Sequence, residues 1–318
     1  MKLKALIAIT LLYSAAANAQ DKWAYLDYCA VSMKNMVASS NQSLMVAEHV
    51  SLQDLDVEAE AHDDNVMFQL FDKRKKSTPD SPGAGMLGWL TYHPASNTLT
   101  DGNDTALRFD QKKGKRYQHC LSRMQRCADI NQQLALEATI ASPRYVVTGT
   151  SRAWFYAAPV PQCRSESVFI VPGDSVSRIG FVIARDDNTQ QRYQALRGND
   201  PHDYVLAGFN TVNGWVEADN LASVDEVCDD AREKAGITTP AEDDFITRTV
   251  ANKRQRLYFY DAPNKACLRE ENAFVVDGDR VQMLNKPAFA GYRFIRYTHP
   301  TSQKVTEGWV SSEGLSLP

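Results

Sequence analysis

From Lys22 onward the apolar residues Trp23, Leu26, Ala30, Met33 and Val37 recur at steps of three and four. That spacing predicts a helix with one buried face. A second stripe of this kind, Tyr117, Cys120, Leu121, Met124, Cys127, Ala128 and Leu134, predicts another helix. Between them "STPDSPGAG", from Ser77, has the composition of turns and loops. "MLGWLTYHPASNTLTDG", from Met86, then reads as a strand, a turn around Ala95 to Asn97 and a short return strand. Residues 20–140 are therefore expected to form a small α+β unit with helices at both ends.

Beyond this block the pattern changes to short β-rich runs broken by Gly, Pro, Asp and Asn, as in small barrels. The runs occur twice. "SRAWFYAAPVPQC" from Ser151 is answered by "RQRLYFYDAPNKAC" from Arg254, with Pro159 and Pro263, like Cys163 and Cys267, separated by 104 positions. "VFIVPGDSV" is answered by "AFVVDGDRV", "YVLAGF" by "YRFIRY", and "GWVEADNL" by "GWVSSEGL", always in the same order. An ordered set of recurring blocks with variable loops marks a duplicated module. Between the copies, "SVDEVCDDAREKAG" opens on a Ser N-cap with early acids and closes on Lys and Gly, the signals of a connecting helix. "ITTPAEDD" after it reads as a linker.

The small-residue-Pro turns Ala157 to Pro159 and Asp261 to Pro263 carry a family resemblance, together with Gly173-Asp174 and Gly278-Asp279, Gly214-Trp215-Val216 and Gly308-Trp309-Val310. In this ordered set each copy resembles a bacterial SH3 domain. The resemblance covers about Ser151 to Ala222 and Arg254 to Leu317, and none is evident for the first block. The expected fold is an α+β N-terminal unit followed by two small all-β SH3-like barrels joined by a helix. The expected divisions are 1–19, 20–140, 148–223, 224–252 and 253–318. Domains of this class commonly hold a peptide or a cell-wall stem in a shallow groove.

The N-terminus adds a location. Lys2 and Lys4 precede an apolar run from Ala5 to Tyr13 and small residues ending at Ala19, the layout of a secretory signal peptide rather than a membrane span. Cleavage near Ala19 predicts a chain exported to a bacterial periplasm or the medium. Gln20, not cysteine, follows the cleavage point, so no lipid anchor is expected. Taking Lys2 and Lys4 from the 35 basic residues leaves 33 against 39 acidic ones, a net of −6. Such a balance supplies no basic field for nucleic acid or anionic lipid. The run Lys73 to Lys76 reads as a solvated loop.

Six cysteines in an exported chain predict disulfides. Cys29, Cys120 and Cys127 fall in the first half, and Cys163, Cys228 and Cys267 in the second. Each half holds an odd number, so either one bridge joins the halves or at least two thiols stay unpaired. Cys120 and Cys127 lie two helical turns apart, about 10 Å, too far to bond each other. One of them is therefore expected to bond Cys29.

Catalytic patterns are not evident. The six histidines are scattered, with no HExxH, and there is no Cys-x-x-Cys, phosphate loop or serine elbow. His62-Asp63-Asp64 reads as a solvated loop rather than a metal corner, and Cys163 and Cys267, without a neighbouring His, as structural. The expectation is a chain that is not an enzyme, with no catalytic residue, metal or cofactor. The repeats offer aromatic surface instead. Neighbours on a strand face opposite ways, so Trp154 and Tyr156 share a face against Phe155, as do Tyr258 and Tyr260 against Phe259. With Tyr204 and Tyr292 these are the candidate ligand contacts; packing between modules is the alternative use of the same rings. Trp215 and Trp309 are expected to close the barrel cores.

Two functions fit. In the first, the tandem modules grip another exported protein, as an inhibitor or immunity protein facing a secreted toxin or a wall hydrolase. In the second, they bind peptidoglycan, and the N-terminal unit is an unrecognised hydrolase or envelope factor. The first is preferred because the first block shows no catalytic pattern.

Overall fold

The stripe of Met33, Met36 and Val37 is the buried face of α1 (Ala30–Val37), which follows a 3-10 turn at Leu26–Cys29. A computed structural model describes residues 25–75, 78, 81, 83–138, 144–183, 187–237, 240–253, 255–269, 271 and 273–315. The expected signal peptide lies outside the described residues. The chain is a mixed α+β protein, mostly sheet with few helices and several small sheets. It divides into two units between Asp129 and Ile130.

In the first unit, after α2 (Ser43–Ala47), four antiparallel strands pair in chain order: β1 (Leu55–His62), β2 (Asn65–Asp72), β3 (Met86–His93) and β4 (Thr98–Asp101). The next element is α3 (Gln111–Gln133), which buries Tyr117, Cys120, Leu121, Met124 and Cys127. Alternation along β2 buries Val66, Phe68 and Leu70. Across the sheet Phe68 faces Leu90, and Tyr92 faces Leu99. The rings of Phe68, Tyr92 and Tyr117 meet with centroids 5.4 to 6.5 Å apart. Cys29 bonds Cys120 across 91 residues and ties the segment before α1 to α3.

The expected loop at His62-Asp63-Asp64 is the turn of the β1–β2 hairpin, with Asp63 at φ 52°. The basic run is more than a solvated loop. Asp72 is buried, and the Nε and Nη2 of Arg74 each donate to its carboxylate at 2.8 Å. Those bonds hold the Asp72 carboxyl below its ordinary range. Lys75 pairs with Glu48 at 2.8 Å.

On β3 the pairing slips. Leu70 faces Gly88 while Phe71 faces Met86, so Leu87 is an extra residue. The bulge brings Leu87 to the buried face with Leu90 and Tyr92, whereas Trp89, on the other face with Thr91 and His93, is 39% exposed. Gly88 holds φ +119°, a conformation that a side chain would strain.

The second unit holds both repeats. The first contributes β6 (Arg144–Val147), β7 (Ala153–Tyr156), β8 (Arg164–Ile170), β9 (Ser175–Ile183), β10 (Tyr204–Phe209), β11 (Val212–Glu217) and β12 (Leu221–Ser223). They form one sheet in the order β12-β6-β9-β10-β11-β7-β8, with β5 (Ala135–Ala138) also on β9. A helix the sequence reading did not anticipate, α4 (Asp187–Arg197), is inserted between β9 and β10. The connecting helix forms as α5 (Val224–Ala235), with a capping box between Ser223 and Glu226 and left-handed Gly236 at its end. The second repeat contributes β13 (Phe245–Thr249), β14 (Leu257–Tyr258), β15 (Phe274–Val275), β16 (Arg280–Leu284), β17 (Tyr292–Thr298) and β18 (Val305–Ser311). Its core gathers Val250, Leu257, Phe259, Val275, Val281, Met283, Ile295, Val310 and Leu315.

The duplication reaches individual hydrogen bonds. Val147 N donates to Asp174 O at 2.9 Å, and Val250 N to Asp279 O at 2.9 Å. The Asp174 carboxylate accepts Val171 N at 2.8 Å, and that of Asp279 accepts Val276 N at 2.9 Å. Ala157 N bonds Cys163 O, and Asp261 N bonds Cys267 O, both at 2.9 Å. The Gly-Asp pairs and the Pro turns thus close the same two turns in each copy.

Cys228 on α5 bonds Cys267 of the second repeat across 39 residues, inside a cluster with Val224, Ala231 and Ala262. Cys127 and Cys163 are also disulfide-bonded, and no cysteine is free. Six bonded cysteines, three disulfides, are the chemistry of an oxidising compartment. Among the described residues no helix is long and apolar enough to cross a membrane.

Candidate functional site

Each repeat brings two of the candidate aromatics into one T-shaped pair. Tyr156 on β7 meets Tyr204 on β10 at 5.0 Å and 72°. Tyr260 meets Tyr292 on β17 at 5.1 Å and 73°. The tryptophan of each Gly-Trp-Val stands opposite the first tyrosine, as Trp215 across from Tyr156 and Trp309 across from Tyr260. Both tryptophans are buried. The remaining candidates, Trp154 and Tyr258, are half-buried and lie edge-on to Phe169 and Phe274 at 5.3 and 6.0 Å.

The two tyrosine pairs differ in access. In the first repeat Trp154 packs against the cluster that Tyr156 forms with Tyr204 and Trp215, and this shared face is closed over Tyr156. Tyr156 and Tyr204 are both only 5% exposed and cluster with Trp215. The Tyr156 hydroxyl donates to Glu217, and the Tyr204 hydroxyl donates to Asp200 Oδ2 at 2.6 Å. Asp200 belongs to the segment that follows α4, so the insertion supplies the acid that fixes this pair. His202 Nδ1 lies 3.1 Å from Asp219 Oδ2, and that carboxylate raises the imidazole above its ordinary value.

Burial, and then the two carboxylate acceptors, hold the phenols of Tyr156 and Tyr204 well above their ordinary value. The unfolded chain loses these protons near pH 10, whereas the folded one keeps them. The stability they contribute is therefore full below that pH and declines as pH rises above it. Tyr28 and Tyr117 are raised by burial in the same direction. We expect alkaline unfolding, followed by tyrosinate absorbance, to lose part of its steepness in Tyr156→Phe and again in Tyr204→Phe. An unchanged profile in both would count against this account.

In the second repeat the corresponding connection, from β16 to β17, spans only residues 285–291 and carries no helix. Tyr260 and Tyr292 stay half-buried. Tyr292 opens onto a cavity of about 510 Å³ between the repeats. Pro263, Asn264 and Lys265 form one wall, Val146, Val147 and Gly173 the other. Gly173 gives Lys265 its place, because a Cβ there would stand 2.1 Å from Lys265 Cε. The Lys265 ammonium makes no ion pair with the described residues. A cation and a phenol set in apolar walls can receive a small, extended ligand that carries a carboxylate. Sequence reasoning singled out Tyr292 but passed over Lys265, which is an ordinary turn residue until the fold closes on it.

Among the described residues no group of three or more His, Cys, Asp or Glu is placed to hold a metal ion. Cys163 and Cys267, weighed as thiols from the sequence, are both in disulfides.

No protein-family model matches the chain, and no curated protein does. Solved structures do show matches. One is NlpC2 from Trichomonas vaginalis, at 14% identity and a TM-score of 0.18, covering 56% of this chain and 48% of that one. Another is a "putative autolysin" from Listeria monocytogenes, at 8% identity and a TM-score of 0.20, covering 79% of each chain. The chain thus spans about half the length of the NlpC2 chain it matches. The expectation of a non-enzyme is not upheld, since the matched structures are those of NlpC2 and of an autolysin. At such TM-scores they assign no activity to this chain.

Proposed function

We propose that this is an exported protein of the cell envelope whose two repeats are SH3-like modules and whose second module binds the stem peptides of peptidoglycan. The observation that carries the reading is the cavity walled by Tyr292 and Lys265. Stem peptides are short, extended and rich in small apolar residues, and they end in a carboxylate. Apolar walls suit the side chains, and Lys265 suits the carboxylate. Export is supported by the three disulfides. This reading replaces inhibition of a partner protein as the preferred one. In this reading the first unit is an envelope factor or a hydrolase.

Cosedimentation with purified sacculi tests the reading. We expect the protein to pellet at physiological salt, with Tyr292→Ala and Lys265→Ala each weakening binding at least about tenfold, the effect of truncating a central contact. Tyr156→Phe, whose ring is sealed in the first repeat, should leave binding unchanged. Protein that stays in the supernatant, or binds equally well in both cavity variants, overturns the proposal. Stoichiometric capture of an exported protein instead of sacculi would restore the inhibitor reading.

A further inference from the structure

We propose that the first unit carries a saccharide-binding pocket in which Trp89 is the shelf for a pyranose ring. The pocket, about 290 Å³, lies beside the bulge on β3 and includes Asn41, Ser43, Trp89, Asp101, Gly102 and Asn103 in its lining. Its volume is at the small end of ligand pockets, which run roughly from 300 to 1,000 Å³, so it suits one ring rather than a folded chain.

The pocket is built from three segments joined by named bonds. Gln42 is buried, and its Nε2 donates to the bulged Leu87 carbonyl at 2.9 Å while its Oε1 accepts Met45 N at 2.6 Å. Asn41 is bonded in both directions to Arg108, through Asn41 N to Arg108 O and Arg108 N to Asn41 Oδ1. Asp101 Oδ1 accepts the amides of Asn103 and Thr105, each at 2.9 Å, and these bonds keep the carboxyl below its ordinary range. The Thr105 side chain bonds the same carboxylate. Trp89 faces outward by alternation with the buried Leu90 and Tyr92 on β3.

The chemistry selects the ligand. A pyranose offers one flat face of C–H groups and a rim of hydroxyls that donate and accept. Trp89 supplies an exposed flat ring, Asp101 an acceptor, and Asn41, Ser43 and Asn103 uncharged donors around it. No Lys, Arg or His lines the pocket, so a phosphate or a free carboxylate has no counter-charge there. Gly102 lines the same edge, where a Cβ would stand in ordinary contact, 3.9 Å from Trp89 O and 4.0 Å from Trp89 Cβ, so that only a larger side chain would reach over the shelf.

This pocket does not rest on the reading of the second unit, and its test separates the two. Calorimetric titration of the whole protein with chitotetraose, and in parallel with cellotetraose, should give saturable binding to at least one. We expect Trp89→Ala to weaken it at least tenfold, Trp89→Tyr to retain most of it, and Gly102→Val to weaken it without removing any polar contact. Thermal melts of each variant establish that it is folded, and Tyr292→Ala should bind the oligosaccharide as the parent does. Absence of saturable binding to both sugars overturns the proposal. So does unchanged affinity in both Trp89→Ala and Gly102→Val.

Discussion

Replacing Cys29 and Cys120 together by serine should lower the melting temperature of the first unit by on the order of 20 °C. The bridge spans 91 residues of a unit that runs from Met1 to Asp129. Closing so long a loop in the unfolded chain removes entropy equivalent to about 4–5 kcal/mol. A unit of this size shifts by roughly 4–8 °C for each kcal/mol. Both cysteines are buried, so their serine hydroxyls also enter an apolar surrounding. Calorimetric melts of the double variant, beside the parent with and without reductant, measure the effect. A melt that stays within a few degrees of the parent would show that the segment before α1 is held by packing alone. The Cys228–Cys267 bridge closes a loop of 39 residues, for which the same model gives about 4 kcal/mol in the second unit.

Trp215→Ala should cost about 3–5 kcal/mol, the range for emptying a fully buried large aromatic site. Its indole also donates to Asn131 Oδ1 at 2.7 Å, and losing that donor adds the penalty of an unsatisfied acceptor. Trp309, its counterpart, packs edge-on to Phe294 at 5.7 Å, and its indole has no hydrogen-bond partner among the described residues. Trp215→Phe should therefore destabilise more than Trp309→Phe by about 1–3 kcal/mol, since only the first orphans a polar group. Urea titrations of the two phenylalanine variants make the comparison. Equal losses would mean that ring volume alone matters at both positions.

Local physics made part of the architecture legible from the sequence. The second helix stripe placed α3 and the capping signals placed α5 to within a residue, whereas the helix read from Lys22 begins only at Ala30, after a 3-10 turn at Leu26–Cys29. Recurring Pro and Gly-Asp turns exposed the duplication, because each turn needs its own residue type. The hairpin of β1 and β2 was not anticipated, since β1 alternates Val and Ala with acids and Ala has weak strand preference. Period two pairs Trp154 with Tyr156 on one face, but it does not reveal that this face is closed over Tyr156 in the first repeat. The difference between the two tyrosine pairs was out of reach, because it depends on Asp200 and Glu217 arriving from distant segments. The Trp89 pocket depends in the same way on a bulge and on a glutamine 45 residues from the carbonyl it holds.

Cys228 and Cys267 stand on opposite sides of residues 237–244, which join α5 to β13. A protease that cuts this segment once does not release the second repeat, because the fragments remain joined through sulfur. The nicked protein keeps its mass until the bridge is reduced, and the Tyr292 cavity keeps both of its walls. In surroundings where proteases are common and reductants scarce, the disulfide turns a cleavage that would divide the molecule into a two-chain form of the same protein.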